Sequence, residues 1–130
     1  IGQSIQFLLP DVIGYKLEGE VNPYVTSSDL VLTITKNLRS LGVVGKFVEF
    51  FGSGVSSLSV ANRSTISNMC PEFGGTVGFF PVDKNTLDYL RQTNRSESKI
   101  KIVEQYLRAT KQFRDYHDES EDPIFSKVIF

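Results

Sequence analysis

The chain has no tryptophan, and only one cysteine, one histidine and one methionine in 130 residues. A single cysteine excludes an internal disulfide, and it excludes any zinc or iron–sulfur site whose thiolates all come from this chain. It also fits a reducing compartment. The one histidine, His117, lies in the acidic stretch Asp115-Tyr116-His117-Asp118-Glu119-Ser120-Glu121-Asp122-Pro123. A general base needs a positioned partner and a pocket, so this stretch reads as a solvated connection, and its spacing matches no calcium loop. No apolar run is long enough to span a bilayer. Charge of one sign is lacking too: 14 basic and 15 acidic residues leave a net charge of -1. Nothing global therefore selects nucleic acid or an anionic membrane, although binding surfaces follow the distribution of charge and not its total. No internal repeat or low-complexity tract is present.

What is present describes an ordinary globular chain. Residues are 40% hydrophobic, with ten Phe and five Tyr, and a domain of this length buries roughly two-thirds of its unfolded surface. The start, Ile1-Gly2-Gln3-Ser4, is neither a signal peptide nor an initiator methionine, so the chain reads as an excerpt of something larger.

Alternating turn signals and apolar runs set the expected elements. Ile5 to Leu9 and Val12 to Leu17 read as strands. Thr26 with Asp29 resembles a capping box for a helix lined by Leu30, Ile34, Leu38 and Leu41, and Gly42 supplies its stop. Val43 to Phe51 is rich in β-formers. Ser59 caps a second helix running to about Met69, which Pro71 and Gly74-Gly75 are expected to close. Thr76 to Phe80 reads as a short buried strand. Asp83 caps a helix containing Leu87 and Leu90, and Ile100, Val103 and Leu107 mark another. Ile124 to Phe130 is a last apolar run, suited to a sheet lying partly outside the chain. Strands alternating with helices predict an α/β domain, with a mostly parallel sheet flanked by helices in three layers.

Gly52-Ser53-Gly54-Val55-Ser56-Ser57 approaches a dinucleotide fingerprint after a strand. Ser57 replaces the third glycine, and the run Val55 to Leu58 does not begin like a helix against a pyrophosphate, so a tight strand exit explains it better. The sequons at Asn62 and Asn94 lack a secretory context. Lys36, Arg39 and Lys46 give basic character near the end of the first helix, a common property of surface helices. Asn68, Cys70 and Glu72 fall around a forced helix end. Two readings stand: a helix terminus followed by a glycine turn, or polar groups projected into a cleft.

The string Ala61 to Thr76, with Ser67-Asn68-Met69-Cys70-Pro71-Glu72-Phe73-Gly74-Gly75 at its centre, resembles the aconitase signature. Gly78 to Asp83, Val43 to Gly52 and Thr26 to Thr33 resemble the cytosolic aconitase and iron-regulatory branch of that family. The likeness weakens after Asp115. Phe73 stands where Tyr is usual and Gly75 where Ala is usual, changes that touch packing more than chemistry.

The resemblance implies the second α/β domain of a multidomain aconitase, with residues 1–20 connecting from the preceding domain and 115–123 forming an acidic loop. It implies a [4Fe-4S] cluster whose cysteine ligands lie outside this chain, so that no metal or cofactor is bound by this piece alone. It implies isomerisation of citrate and isocitrate through cis-aconitate, with Glu72 catalytic near the hydroxyl or water on the cluster iron. By the same resemblance Asn68 hydrogen-bonds toward the cluster, and Cys70 is a neighbour of the active site and not a ligand. In the iron-regulatory branch, Arg39 matches an arginine that reaches the loop of iron-responsive messenger RNA stem-loops. The implied partners are substrate, the remaining aconitase domains and that RNA, with no membrane. The implied location is cytoplasmic, with mitochondrial as the alternative.

Overall fold

A computed structural model describes residues 2–116 and 122–129. Its sheet has four parallel strands in the order β3-β2-β1-β4: β1 Val12–Lys16, β2 Phe47–Phe51, β3 Val77–Phe79 and β4 Lys127–Ile129. Five helices connect them among the described residues: α1 Ser27–Ser40, α2 Val60–Asn68, α3 Cys70–Phe73, α4 Lys84–Gln92 and α5 Glu97–Ala109. An all-parallel sheet flanked by helices is the α/β architecture expected of a three-layer domain.

Local signals start and stop these helices. The Thr26 hydroxyl accepts from the Asp29 amide at 3.2 Å, and the Asp29 carboxylate accepts from the Thr26 amide at 3.0 Å, closing the capping box of α1. That bonding holds the Asp29 carboxyl below its ordinary range. Gly42, at φ +70, follows the last turn of α1 in the left-handed region that glycine adopts freely. Ser59 caps α2, and Asp83 caps α4 in a second box with Thr86.

One face of the sheet carries the main core. Ile13 and Tyr15 of β1 with Val48 and Phe50 of β2 pack against Val31, Ile34 and Leu38 of α1, Ile66 of α2, and Cys70 and Phe73 of α3. Each large apolar side chain buried this way contributes about 1.5–3 kcal/mol. Phe50 also stacks on Phe80, with ring centroids 4.3 Å apart. On the opposite face Phe125 lies against Gly14 and packs on Phe51 at 4.9 Å. Glu49, on that same face, has its carboxyl pushed above the usual range by burial, an effect Arg114 opposes.

A buried ion pair joins the second half of the chain to the first. The Arg63 guanidinium donates to both Asp83 oxygens at 2.9 and 2.6 Å, and to the Leu58 and Val55 carbonyls at 3.1 and 2.9 Å. The Tyr116 hydroxyl donates to the same carboxylate at 3.1 Å. Burial and the Asp83 charge raise the Tyr116 pKa, which keeps its proton on the oxygen. Arg63 and Asp83 are 4% and 2% exposed.

Several expectations are corrected. Ile5 to Leu9 forms no strand, and Leu8 and Leu9 are 94% and 89% exposed; a β-prone run becomes a strand only when it meets a ladder partner, and this one meets none among the described residues. Val31, not Leu41, completes the buried face of α1, because Leu41 is the C-cap and is exposed. α2 ends at Asn68, as expected, but Pro71 then opens a further single turn beyond that end. It stands in the first turn of α3, where its missing amide is no loss. Thr76 to Phe80 contributes an edge strand whose Val77 and Phe79 are exposed, not a buried one. From the last apolar run, Lys127–Ile129 forms β4, which pairs with β1 inside this chain. His117 lies outside the described residues.

Replacing Arg63 with Met strands the Asp83 carboxylate in the interior. The expected loss is about 3–5 kcal/mol of folding stability, as for other buried pairs broken on one side, read from urea or thermal unfolding of the chain. A loss within the scatter of surface substitutions would show the pair to be replaceable.

Candidate active site

The segment from Asn68 to Gly75 is a helix broken into two and then turned back toward the sheet. α2 ends at Asn68, Met69 caps it, and the four-residue α3 follows with Pro71 near its start. Within that single turn the residues divide by side. Cys70 and Phe73, three apart and on one side of the helix, are buried at 4% and 1% exposure. Pro71 and Glu72 are exposed, as is Asn68 just before them. The polar pair is thus presented outward because the apolar pair is fixed inward.

The end of α3 is held at several points. Gly74 is left-handed at φ +84, and the amides of Gly74 and Gly75 donate to the Pro71 and Cys70 carbonyls, each at 3.1 Å. The Gly45 amide donates to the Gly74 carbonyl at 3.0 Å, and the Thr76 amide donates to the Lys46 carbonyl at 2.9 Å. A Cβ at Gly74 would sit 2.8 Å from Val44 Cγ2. The chain therefore passes close enough to require glycine there. Lys46 immediately precedes β2, so the turn lies over the amino ends of the strands.

Structure brings together residues that are distant in sequence here. Arg39, in the last turn of α1 and exposed, donates from Nη1 to the Glu72 carbonyl at 2.9 Å. The Glu72 carboxylate accepts no hydrogen bond from the described residues. Its charge is felt by Cys70, whose thiol is raised above its ordinary range first by burial and then by Glu72. The thiol also fills the space beside Gly78, where a Cβ would come within 2.6 Å of Sγ. Among the described residues no three His, Cys, Asp or Glu side chains meet in a possible metal site.

The carboxyl ends of the strands, where open α/β sheets usually receive ligands, hold none of the candidate residues. Gly52-Ser53-Gly54 lies there as the start of a 3-10 turn over Ser53–Ser57. A Cβ on Gly52 or Gly54 would press on the Leu17 backbone, at 2.5 and 2.8 Å. These glycines serve a close crossing with the exit of β1, the tight strand exit that the sequence favours. A groove of about 290 Å³ opens beside them between Leu17, Glu18, Val25, Leu30 and Leu58. The sequence gives no signal for the Arg39–Glu72 contact, since a guanidinium meeting a main-chain carbonyl leaves no pattern in side-chain types.

A thiol that is buried and raised in pKa is a poor nucleophile. Cys70 is expected to resist thiol–disulfide exchange with a chromogenic disulfide reagent near pH 7.5 in the native chain, and to react fully after denaturation. Rapid native labelling would contradict its placement.

No helix among the described residues is long and apolar enough to cross a membrane. The model of the aconitase family (aconitate hydratase) matches residues 1–130. With the whole length matched and the outward turn at Asn68 to Glu72 in place, the chain belongs to the aconitase family.

Proposed function

We propose that this chain is one domain of an aconitate hydratase of the cytosolic type, which interconverts citrate and isocitrate through cis-aconitate. The [4Fe-4S] cluster that the family implies finds no fitting donor set here. The chain has a single thiol, buried in the core, and no three potential ligands meet among the described residues, whereas such a cluster is held by several cysteines. The cluster ligands accordingly belong to cysteines outside this chain, and its part in the reaction is assigned to polar side chains.

The observation that carries this assignment is the placement of Glu72. It projects from a turn whose buried side and glycine end are both fixed, and its carboxylate is free of protein hydrogen bonds among the described residues. Elimination of water from a hydroxy acid requires a proton on the departing hydroxyl, and the reverse addition requires its removal. A carboxyl group that alternates between protonated and ionised forms carries that proton on one of its Oε atoms. Asn68 offers an uncharged amide with both donors and an acceptor, suited to orienting a neighbouring group without changing the local charge. Both residues are exposed in this chain, whereas acid–base chemistry of this kind works best away from bulk water. The remaining walls therefore come from the other aconitase domains, and the isolated chain is expected to be inactive.

In the full-length enzyme with its cluster reconstituted, Glu72→Gln is expected to lower kcat by about 100-fold or more. The visible absorption of the cluster should be unchanged. Near-normal turnover would remove Glu72 from the reaction.

A second reading, RNA binding in the cluster-free state, is favoured by one feature. Arg39 is exposed and commits one N–H to the Glu72 carbonyl, with no carboxylate partner among the described residues. Its remaining donors are available to the edges of unstacked loop bases. For the cluster-free full-length protein, Arg39→Ala is expected to weaken binding of an iron-responsive stem-loop roughly tenfold at fixed salt. Unchanged affinity in a filter-binding titration would refute the contact.

A further inference from the structure

We infer that Arg39 is a positioning residue for Glu72, holding the main chain from which the carboxylate projects; this rests on the catalytic reading of Glu72. The carbonyls of α3 show why a side chain is needed. Those of Cys70 and Pro71 are satisfied by the amides of Gly75 and Gly74. The carbonyl of Glu72 is not covered by that glycine turn, and the donor that reaches it is Nη1 of Arg39 at 2.9 Å. A four-residue helix has little cooperative strength of its own, so its Glu72 carbonyl, one residue before the end, relies on such an outside donor.

The donor is itself well placed. Leu38, next to Arg39, is 0% exposed, which fixes the end of α1 against the core. Phe73, next to Glu72, is 1% exposed, which fixes how α3 is rotated. Arg39 then sets where the end of that turn lies relative to α1. A guanidinium also suits the position because it is permanently charged and sits in the last turn of α1, where the helix dipole favours a cation. Small displacements of a reacting group are costly in rate, so a contact to main chain transmits directly to the carboxylate.

The test uses full-length protein with its cluster, and compares Arg39→Ala and Arg39→Lys in wild-type and Glu72→Gln backgrounds. Arg39→Ala is expected to lower kcat about tenfold with KM within about twofold, the scale of one hydrogen bond from a charged donor. Arg39→Lys, which keeps a cationic donor, should recover part of the loss. In the Glu72→Gln background Arg39→Ala should add little, because both act through one group. Hydrogen exchange of residues 70–75 should speed up in Arg39→Ala and less so in Arg39→Lys. Unchanged exchange there overturns the anchoring, and equal losses of kcat in both backgrounds overturn the action through Glu72. If Glu72→Gln alone turns over normally, the catalytic reading of Glu72 fails, and with it the positioning of a catalytic group. The exchange measurement would still decide whether the anchor exists.

Discussion

The buried Arg63–Asp83 pair is the constraint on which the rest of this structure depends. A guanidinium and a carboxylate taken out of water each lose several kcal/mol of solvation. They are tolerated because nearly every donor and acceptor is used. Asp83 accepts from two guanidinium nitrogens, from the Thr86 amide and from the Tyr116 hydroxyl. Arg63 donates in addition to two main-chain carbonyls in and just after the 3-10 turn. One pair therefore ties together the exit of β2, the first half of α2, the start of α4 and the segment after α5. Such a network specifies geometry more than it adds net stability, since only one arrangement satisfies all its members.

That geometry reaches the candidate site through α2. With its amino-terminal half locked at Arg63 and its carboxyl-terminal half at Ile66, the helix carries Asn68 toward the amino ends of the strands. Across the break at Met69 the buried side keeps its helical spacing, from Arg63 and Ile66 to Cys70 and Phe73. Cys70 and Phe73 continue the core, and Glu72 is left on the outer side. Catalytic groups placed at a broken helix are held by their buried neighbours, not by the loop itself. Here the inward pair Cys70–Phe73 is what makes Glu72 point outward. The buried thiol beside Gly78 belongs to that packing, which accounts for a cysteine in the signature that is not available as a ligand in this chain.

The likeness of residues 61–76 to a family signature and the architecture agree at a useful level of detail. An all-parallel sheet with the candidate residues at its amino edge departs from the carboxyl-edge crevice common in open α/β folds. A site built there on a single sheet would be shallow, and Asn68 and Glu72 are exposed. That exposure suits the proposed role, in which Asn68 and Glu72 form one wall of a site completed by further domains.

Features settled within a few residues of chain were legible in the amino-acid order. The capping boxes at Thr26 and Asp83, the cap at Ser59, the left-handed Gly42 and the α/β alternation are all read from local side-chain chemistry. Backbone amides at helix ends must find acceptors nearby, and few residue types supply them. The turn at Asn68 to Glu72 was also legible, as a place where polar side chains gather at a forced helix end. The remaining features were set by packing between distant segments. Ile5 to Leu9 has the composition of a strand yet pairs with nothing, and Thr76 to Phe80 has the composition of a buried strand yet lies at an edge. Strand identity depends on which ladder positions remain open, and no local pattern records that. Arg63 gave no sign of being the buried partner of Asp83, and Arg39 none of reaching the Glu72 carbonyl. Both contacts span 20 or more residues of sequence, and each exists only because packed helices bring the ends together.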